Sequence, residues 1–405
     1  MQLKQSLIRL IIAGLLALVI GLAIVQPPQG PFAPAPISTA MFVLPIVAFL
    51  IAWLIGWLII RYEHLHAHLS HDPIDKGPQK YHTKPTPRIG GIAVVAGLLA
   101  AGGAMSFSEA IQTEHAYALL LLASAPAFLG GIIEDTTKKV GVLERLLLTM
   151  LSGAIGAWLL GAVLNRLDLP GFDHALAWLP FAIAFTAFAV GGVANAINII
   201  DGYNGLAGGY SVIVLAAMAF VANSVGDALV FTASLALAGA LLGFLVWNWP
   251  GGKIFLGDGG AYLTGFMLAE LSVLLVTRNP GVSPWFPLLL LIYPVFETVY
   301  SIYRRRLKNN CSPGQPDNQH LHQCVHNQLI PSHNGTRLSN LKCNSKVAKY
   351  FWIPTAVLAT TGATLWTSTA LLVVCVLGFC VFYVVSYRWI SGCKHLRNPR
   401  TVGRA

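Results

Sequence analysis

Apolar residues dominate this chain in runs of roughly 17 to 22, the length an α-helix needs to cross a bilayer core. The runs lie at 7–25, 41–60, 89–105, 116–133, 143–164, 176–194, 206–222, 228–247, 261–276, 285–303, 351–366 and 369–389. Twelve such runs predict an all-α, polytopic transmembrane bundle. The last two are separated by almost nothing, so eleven spans with one long bent segment is the alternative count.

Between the runs, charge is one-sided. With twelve spans, both termini and the loops after spans two, four, six, eight and ten share one side, and of 26 Lys and Arg only Arg166 and Arg278 fall on the other. Lys and Arg mark loops that are not translocated, which predicts cytoplasmic termini. Composition agrees. The 405 residues are 55% hydrophobic and 10% charged, with mean hydropathy +0.66, a surface no soluble domain of this length would carry. The first run has basic flanks and no small-residue cleavage site before Gln26-Pro-Pro, so it reads as a retained span. The net charge of +10 sits beside the spans, which argues for a bilayer and against nucleic acid. Six cysteines without a CxxC pair do not form a disulfide framework.

The polar residues inside this pattern gather on the same predicted face. After the sixth run comes Asn195-Ala-Ile-Asn-Ile-Ile-Asp-Gly-Tyr-Asn204, with Asn195, Asn198, Asp201 and Asn204 at every third position, a spacing that makes one ridge if the helix continues. Tyr81-His-Thr-Lys-Pro-Thr-Pro-Arg-Ile-Gly-Gly91 offers Lys84 and Arg88 and then a glycine pair at a helix start, where backbone N–H groups receive an anion. Glu134 and Asp135 are adjacent acids that need a cation to ionise together. In Gly251-Gly-Lys-Ile-Phe-Leu-Gly-Asp-Gly-Gly260, glycine amides face a phosphate, Lys253 adds charge, and Asp258 requires a metal between itself and that phosphate. Mg2+ suits this best, because it takes one or two carboxylates together with phosphate oxygens. Ser312 to His326 carries His320 and His322, and single acids stand at Glu270 and Glu297 inside spans. One-sided clustering favours chemistry at the membrane surface. A secondary transporter, the rival reading, would spread its polar groups toward both sides.

Lys84-Pro-Thr-Pro-Arg-Ile-Gly-Gly91, Ile133-Glu-Asp135, Asn198-Ile-Ile-Asp-Gly-Tyr-Asn-Gly205, Phe255-Leu-Gly-Asp-Gly259 and Pro316-Asp-Asn-Gln-His-Leu-His322, in that order, resemble the polyprenyl-phosphate N-acetylhexosamine-1-phosphate transferases of the MraY and WecA type. The histidine motif is closer to the O-antigen and teichoic acid branch. The resemblance spans roughly residues 41–366 as the transferase core, with the histidine loop at 304–350 inside it. It leaves 1–40 as an extra N-terminal helix with its external loop, and 367–405 as an extra C-terminal helix with a basic tail.

It implies an enzyme of the bacterial inner membrane. A lipid phosphate, undecaprenyl phosphate, attacks a UDP-sugar on the cytoplasmic face and UMP leaves, with Mg2+ or Mn2+ as cofactor and a homodimer as the common assembly. By resemblance Asp258 holds the metal, and Glu134 and Asp135 form the acidic pair with a base role. Asp201 and Asn198 line the site, Phe255 stacks on uracil, Lys84 contacts the nucleotide, and His320 and His322 face the diphosphate or sugar. Two departures stand out: Glu134 replaces the usual aspartate, and Asn204 stands where a second acid is common and, being an amide, is no base.

Overall fold

The computed structural model describes residues 38–72, 85–107, 113–308, 317, 319–330 and 337–392. The first predicted span, 7–25, lies outside them. Fourteen helices follow in chain order: α1 (Val43–Arg61), α2 (Glu63–Ser70), α3 (Gly90–Met105), α4 (Glu114–Thr137), α5 (Val142–Leu160), α6 (Pro170–Leu176) and α7 (Leu179–Ile200). After these come α8 (Leu206–Val225), α9 (Ala228–Asn248), α10 (Gly257–Arg278), α11 (Trp285–Tyr303), α12 (Leu321–Leu329), α13 (Arg337–Leu365) and α14 (Thr369–Gly392). The only strand pairing among the described residues is the two-residue ladder of β1 (His71–Asp72) with β2 (Thr86–Pro87).

Nine of the described helices are long and apolar enough to cross a membrane, and α3 is a shorter apolar helix. Predicted and observed spans agree closely in position, and 369–389 is a helix of its own rather than the end of a bent one. The run at 351–366 is the second half of the longer α13. Helices α8, α9 and α10 are almost wholly buried, whereas most of α1 and α14 faces outward. Trp158, Ile353, Val357, Val374, Val381 and Trp389 are exposed; an apolar belt this extensive belongs against lipid.

Lipid tails are as apolar as leucine, so close backbone approach, rather than the hydrophobic effect, holds such a bundle together. A methyl on Gly239 would meet the Pro45 carbonyl oxygen at 2.2 Å, and one on Gly243 the Phe49 carbonyl oxygen at 2.4 Å. These two glycines let α9 lie directly on α1. The same device brings three helix ends together. A Cβ on Gly91 would lie 2.4 Å from the Gly260 nitrogen, and one on Gly131 would lie 2.4 Å from the Gly259 nitrogen. The start of α3, the end of α4 and the start of α10 therefore touch backbone to backbone. At the opposite ends of the helices, Arg278 pairs with buried Asp227 at 2.9 Å, and Arg166 pairs with Asp168 at 2.9 Å.

Candidate active site

Where α3, α4 and α10 converge, two aspartates divide the work. Asp135, on the last turn of α4, is fully buried. Its carboxylate accepts the N–H of Asp258 at 3.0 Å and of Gly259 at 2.9 Å, with Arg88 Nε 3.6 Å away. It therefore caps the N-terminus of α10, where unpaired amides and the helix dipole both favour a negative group. Asp258, one residue into α10 and only 6% exposed, accepts Arg88 Nη2 at 3.1 Å, Asn198 Nδ2 at 3.1 Å and a short bond from Arg145 Nη1. Two guanidinium groups and an amide thus hold one buried carboxylate.

This arrangement corrects three expectations. Glu134 and Asp135 do not face one point, because neighbours on a helix point about 100° apart. Glu134 turns to accept the Val140 N–H at 2.8 Å, while Asp135 serves the cap. The α10 amides expected to face a phosphate donate to Asp135 instead. The Gly90 and Gly91 amides, expected to receive an anion, donate to the carbonyls of Phe255 and Leu256, both at 2.9 Å. Phe255 N–H in turn donates to the Pro87 carbonyl at 2.8 Å, so the motif carrying Arg88 is tied by backbone to the motif carrying Asp258.

The asparagine ridge is also shorter than expected. Helix α7 ends at Ile200 and Asp201 is its C-cap, so the third and fourth positions leave the helix. Asn195 joins α7 to α5 through Thr149 Oγ1 at 3.1 Å, and Asn198 reaches Asp258. Asn204 is buried in the following turn, where its amide donates to the Pro250 carbonyl at 3.3 Å and its N–H to Asn344 Oδ1 at 2.8 Å. It fixes that turn and is not brought to Asp258. Asp201 is ringed by protein although part of its surface reaches water. Burial pushes its carboxyl well above the ordinary range; Arg88 pulls it down, and the charges of Asp258 and Asp135 push it up. It therefore shares the electrostatic field of the cluster.

Phe255 is half-buried at the cluster's rim. The Lys253 ammonium lies over the Trp247 ring, 5.2 Å from its centroid, and is held there rather than at Asp258. Lys84 lies outside the described residues. Arg145 is the partner that the sequence concealed: at the start of α5, beside Lys138 and Lys139, it reads as one more charge flanking a span.

The histidines are set by α11 and α12. His320, at the N-cap of α12, places Nδ1 3.0 Å from Oε1 of Glu297, which is 1% exposed. His322, equally buried, has Nδ1 3.2 Å from the Tyr293 hydroxyl. The two rings are stacked 5.3 Å apart and 8° from parallel. His322 also meets Tyr203 edge-on at 5.7 Å, which joins it to the turn after Asp201. Glu297, a lone acid in the sequence, is thereby a member of this group. Glu270 is fully buried beside Gly156 and has no hydrogen-bond partner among the described residues. Burial lowers the His322 pKa to about 3, so the ring is neutral near neutral pH.

Among the described residues no three His, Cys, Asp or Glu side chains gather as a metal cage. That donor set does not match an all-protein zinc-type site. Asp258 is a buried carboxylate of the kind Mg2+ takes one or two at a time, and its oxygens are held here by Arg88, Arg145 and Asn198.

Residues 117–276 match the glycosyl transferase family 4, the segment from α4 to α10 that contains both aspartates and Asp201. A probable undecaprenyl-phosphate N-acetylglucosaminyl 1-phosphate transferase of Bacillus subtilis is 33% identical over 60% of this chain and 66% of its own length. The undecaprenyl-phosphate α-N-acetylglucosaminyl 1-phosphate transferase of Escherichia coli K12 is 29% identical over 61% of this chain and 67% of its own. A phospho-N-acetylmuramoyl-pentapeptide-transferase of Anoxybacillus flavithermus is 32% identical over 50% and 67%. The chain thus spans about two thirds of the length of the curated relatives it matches.

Proposed function

Because the chain belongs to the glycosyl transferase family 4, we propose that it transfers an N-acetylhexosamine 1-phosphate from a UDP-sugar to undecaprenyl phosphate. UMP is released, and the product starts a surface polysaccharide. An oxygen of the lipid phosphate attacks the β-phosphorus of the UDP-sugar, the bond from that phosphorus to the bridging oxygen breaks, and UMP departs with the electron pair. One phosphoanhydride replaces another, so no ATP is required.

The observation that carries this reading is the buried Asp258 held by Arg88, Arg145 and Asn198. Two anionic reactants must approach each other, and the dominant contribution in such transfers is fixed charge. Arg88 and Arg145 supply cations that can exchange a carboxylate oxygen for a phosphate oxygen, and their forked donors match both. Asp258 would hold Mg2+, with Asp201 beside it. That ion would neutralise diphosphate charge and so ease attack. Asp135 keeps Asp258 at its place by capping the helix that carries it. Phe255 offers a flat apolar face for uracil, and Lys84 a charge for the nucleotide. Glu134, whose carboxylate accepts a backbone amide at the rim, is the acid we assign a base role toward the lipid phosphate. The positive-inside pattern supports a cytoplasmic orientation for this face, and a bacterial inner membrane is the setting that goes with this reading.

The test is a panel of UDP-sugars given to the purified full chain in lipid nanodiscs with undecaprenyl phosphate, scoring UMP. UMP release that requires both the lipid and Mg2+ is expected. No release with any UDP-sugar would overturn the proposal.

A further inference from the structure

Helix α11 contributes two side chains that no motif points to, Tyr293 and Glu297, four residues and hence about one turn apart on one face. Each touches the Nδ1 of a different histidine. The Tyr293 phenol is buried, and among the described residues His322 Nδ1 is its only hydrogen-bond partner. Were Nδ1 protonated and donating, the phenol's proton would be left without an acceptor in a buried site, an arrangement that costs about 1–3 kcal/mol. Donation from the hydroxyl to Nδ1 pairs the phenol, and it places the ring's proton on Nε2. That nitrogen points to the turn after Asp201, where a Cβ on Gly202 would lie 3.8 Å from it. Around the ring stand Tyr203, His320 and, at 6.5 Å, Phe351, and the Glu297 charge acts on it as well.

Glu297 holds His320 in the opposite sense, by accepting, while Asp317 stands 3.8 Å from Nε2 on the ring's other side. The Glu297 oxygens accept the Leu321 N–H at 3.1 and 3.3 Å as well as His320 Nδ1 at 3.0 Å. A carboxylate surrounded by N–H groups is an acceptor, so Nδ1 of His320 is a donor here. The segment is braced from outside by α14, whose Tyr387 hydroxyl donates to the Gln319 carbonyl at 3.1 Å, and by the Arg304–Asp317 ion pair.

We infer that Tyr293 and Glu297 are positioning residues: they fix the tautomer and plane of His322 and His320, so that His322 presents a neutral Nε2–H donor to the phosphate or sugar oxygens of the substrate. This rests on the transferase reading above. It assigns His322 a donor role without proton transfer, and Tyr293 the role of setting it.

Magic-angle-spinning spectra of the 15N-histidine-labelled full chain in liposomes read the tautomer directly, His322 being identified as the signal lost in His322→Gln. A neutral Nε2–H ring in the wild type from pH 5 to 8 is expected, with the Nδ1 resonance moving in Tyr293→Phe to the position of a nitrogen that accepts no hydrogen bond. An Nδ1–H or charged ring in the wild type would overturn the inference.

The kinetic arm uses whichever UDP-sugar the wild type turns over. Tyr293→Phe, which retains the ring stacked on Phe351, should lower kcat about tenfold with KM nearly unchanged, and Glu297→Gln likewise. His322→Gln, which keeps an N–H near the Nε2 position, should exceed His322→Asn by about tenfold and keep the wild-type pH profile. Wild-type rates for Tyr293→Phe, or an altered pH profile for His322→Gln, would count against it. If the wild type releases no UMP while the spectra show the Nε2–H ring, the transferase reading fails and the donor assignment stands.

Discussion

At the scale of single residues, chemistry is set by which neighbour occupies each lone pair. Asp258 has both oxygens engaged by Arg88, Arg145 and Asn198, so its replacement acts on charge more than on packing. Asp258→Asn is expected to cut UMP release at least a hundredfold, as loss of several kcal/mol of electrostatic stabilisation does, while the protein still reaches the membrane. Retained activity in the UMP assay would refute the metal role. Arg145→Ala should cost about 10- to 100-fold, the range for a residue that orients a metal ligand. The buried His322 sets a pH limit: an ordinary histidine takes up a proton near pH 6.5, but this ring does so only near 3. Between those values the unfolded chain binds the extra proton, so stability falls as pH is lowered through that window, at up to about 1.4 kcal/mol per pH unit. Thermal melts of His322→Gln should show a flatter decline. Asp258 was legible in the sequence because glycines on both sides announce a tight backbone site. Arg145 was not, since a basic residue beside a span ordinarily marks topology.

At the scale of elements, helix ends position the site, and glycine contacts position the helix ends. With Cβ atoms at Gly91 or Gly131 placed 2.4 Å from α10 backbone nitrogens, Gly91→Ala or Gly131→Ala must push α3 or α4 away from α10. Overpacking of this kind costs about 1–3 kcal/mol. A lower melting temperature together with weakened UMP release is the expected outcome. Gly103→Ala, with nothing within 4 Å of its Cβ, serves as the control and should behave as wild type. Segment boundaries were legible because apolar length is a strong signal; helix α9, for example, runs over 228–248 against an expected 228–247. The role of Asp135 was not, because a helix cap contributed by another helix leaves no local pattern. Asn204 was misplaced for a related reason: the three-residue spacing continues past Ile200, but the backbone does not continue as helix.

At the scale of the whole molecule, the bundle keeps two polar faces apart. One holds Asp258 and the histidines; the other holds the pairs Arg278–Asp227 and Arg166–Asp168. In a variant lacking native cysteines, Lys139→Cys and Gly281→Cys, both at exposed positions, should be labelled by impermeant reagents from opposite sides of sealed inverted vesicles. Labelling of both from one side would contradict the arrangement. The sequence by itself determined that the chain is a helical membrane bundle, where its helices run, and that its polar motifs share a face. Apolar length and one-sided charge are local quantities that partition into the bilayer before any helix packs. Only the tertiary structure decided which of two adjacent acids caps a helix, that Arg145 neutralises Asp258, and that Tyr293 and Glu297 orient the histidines. Those outcomes depend on the direction of side chains from helices distant in the chain, and that direction is fixed when glycine contacts lock the helices in register.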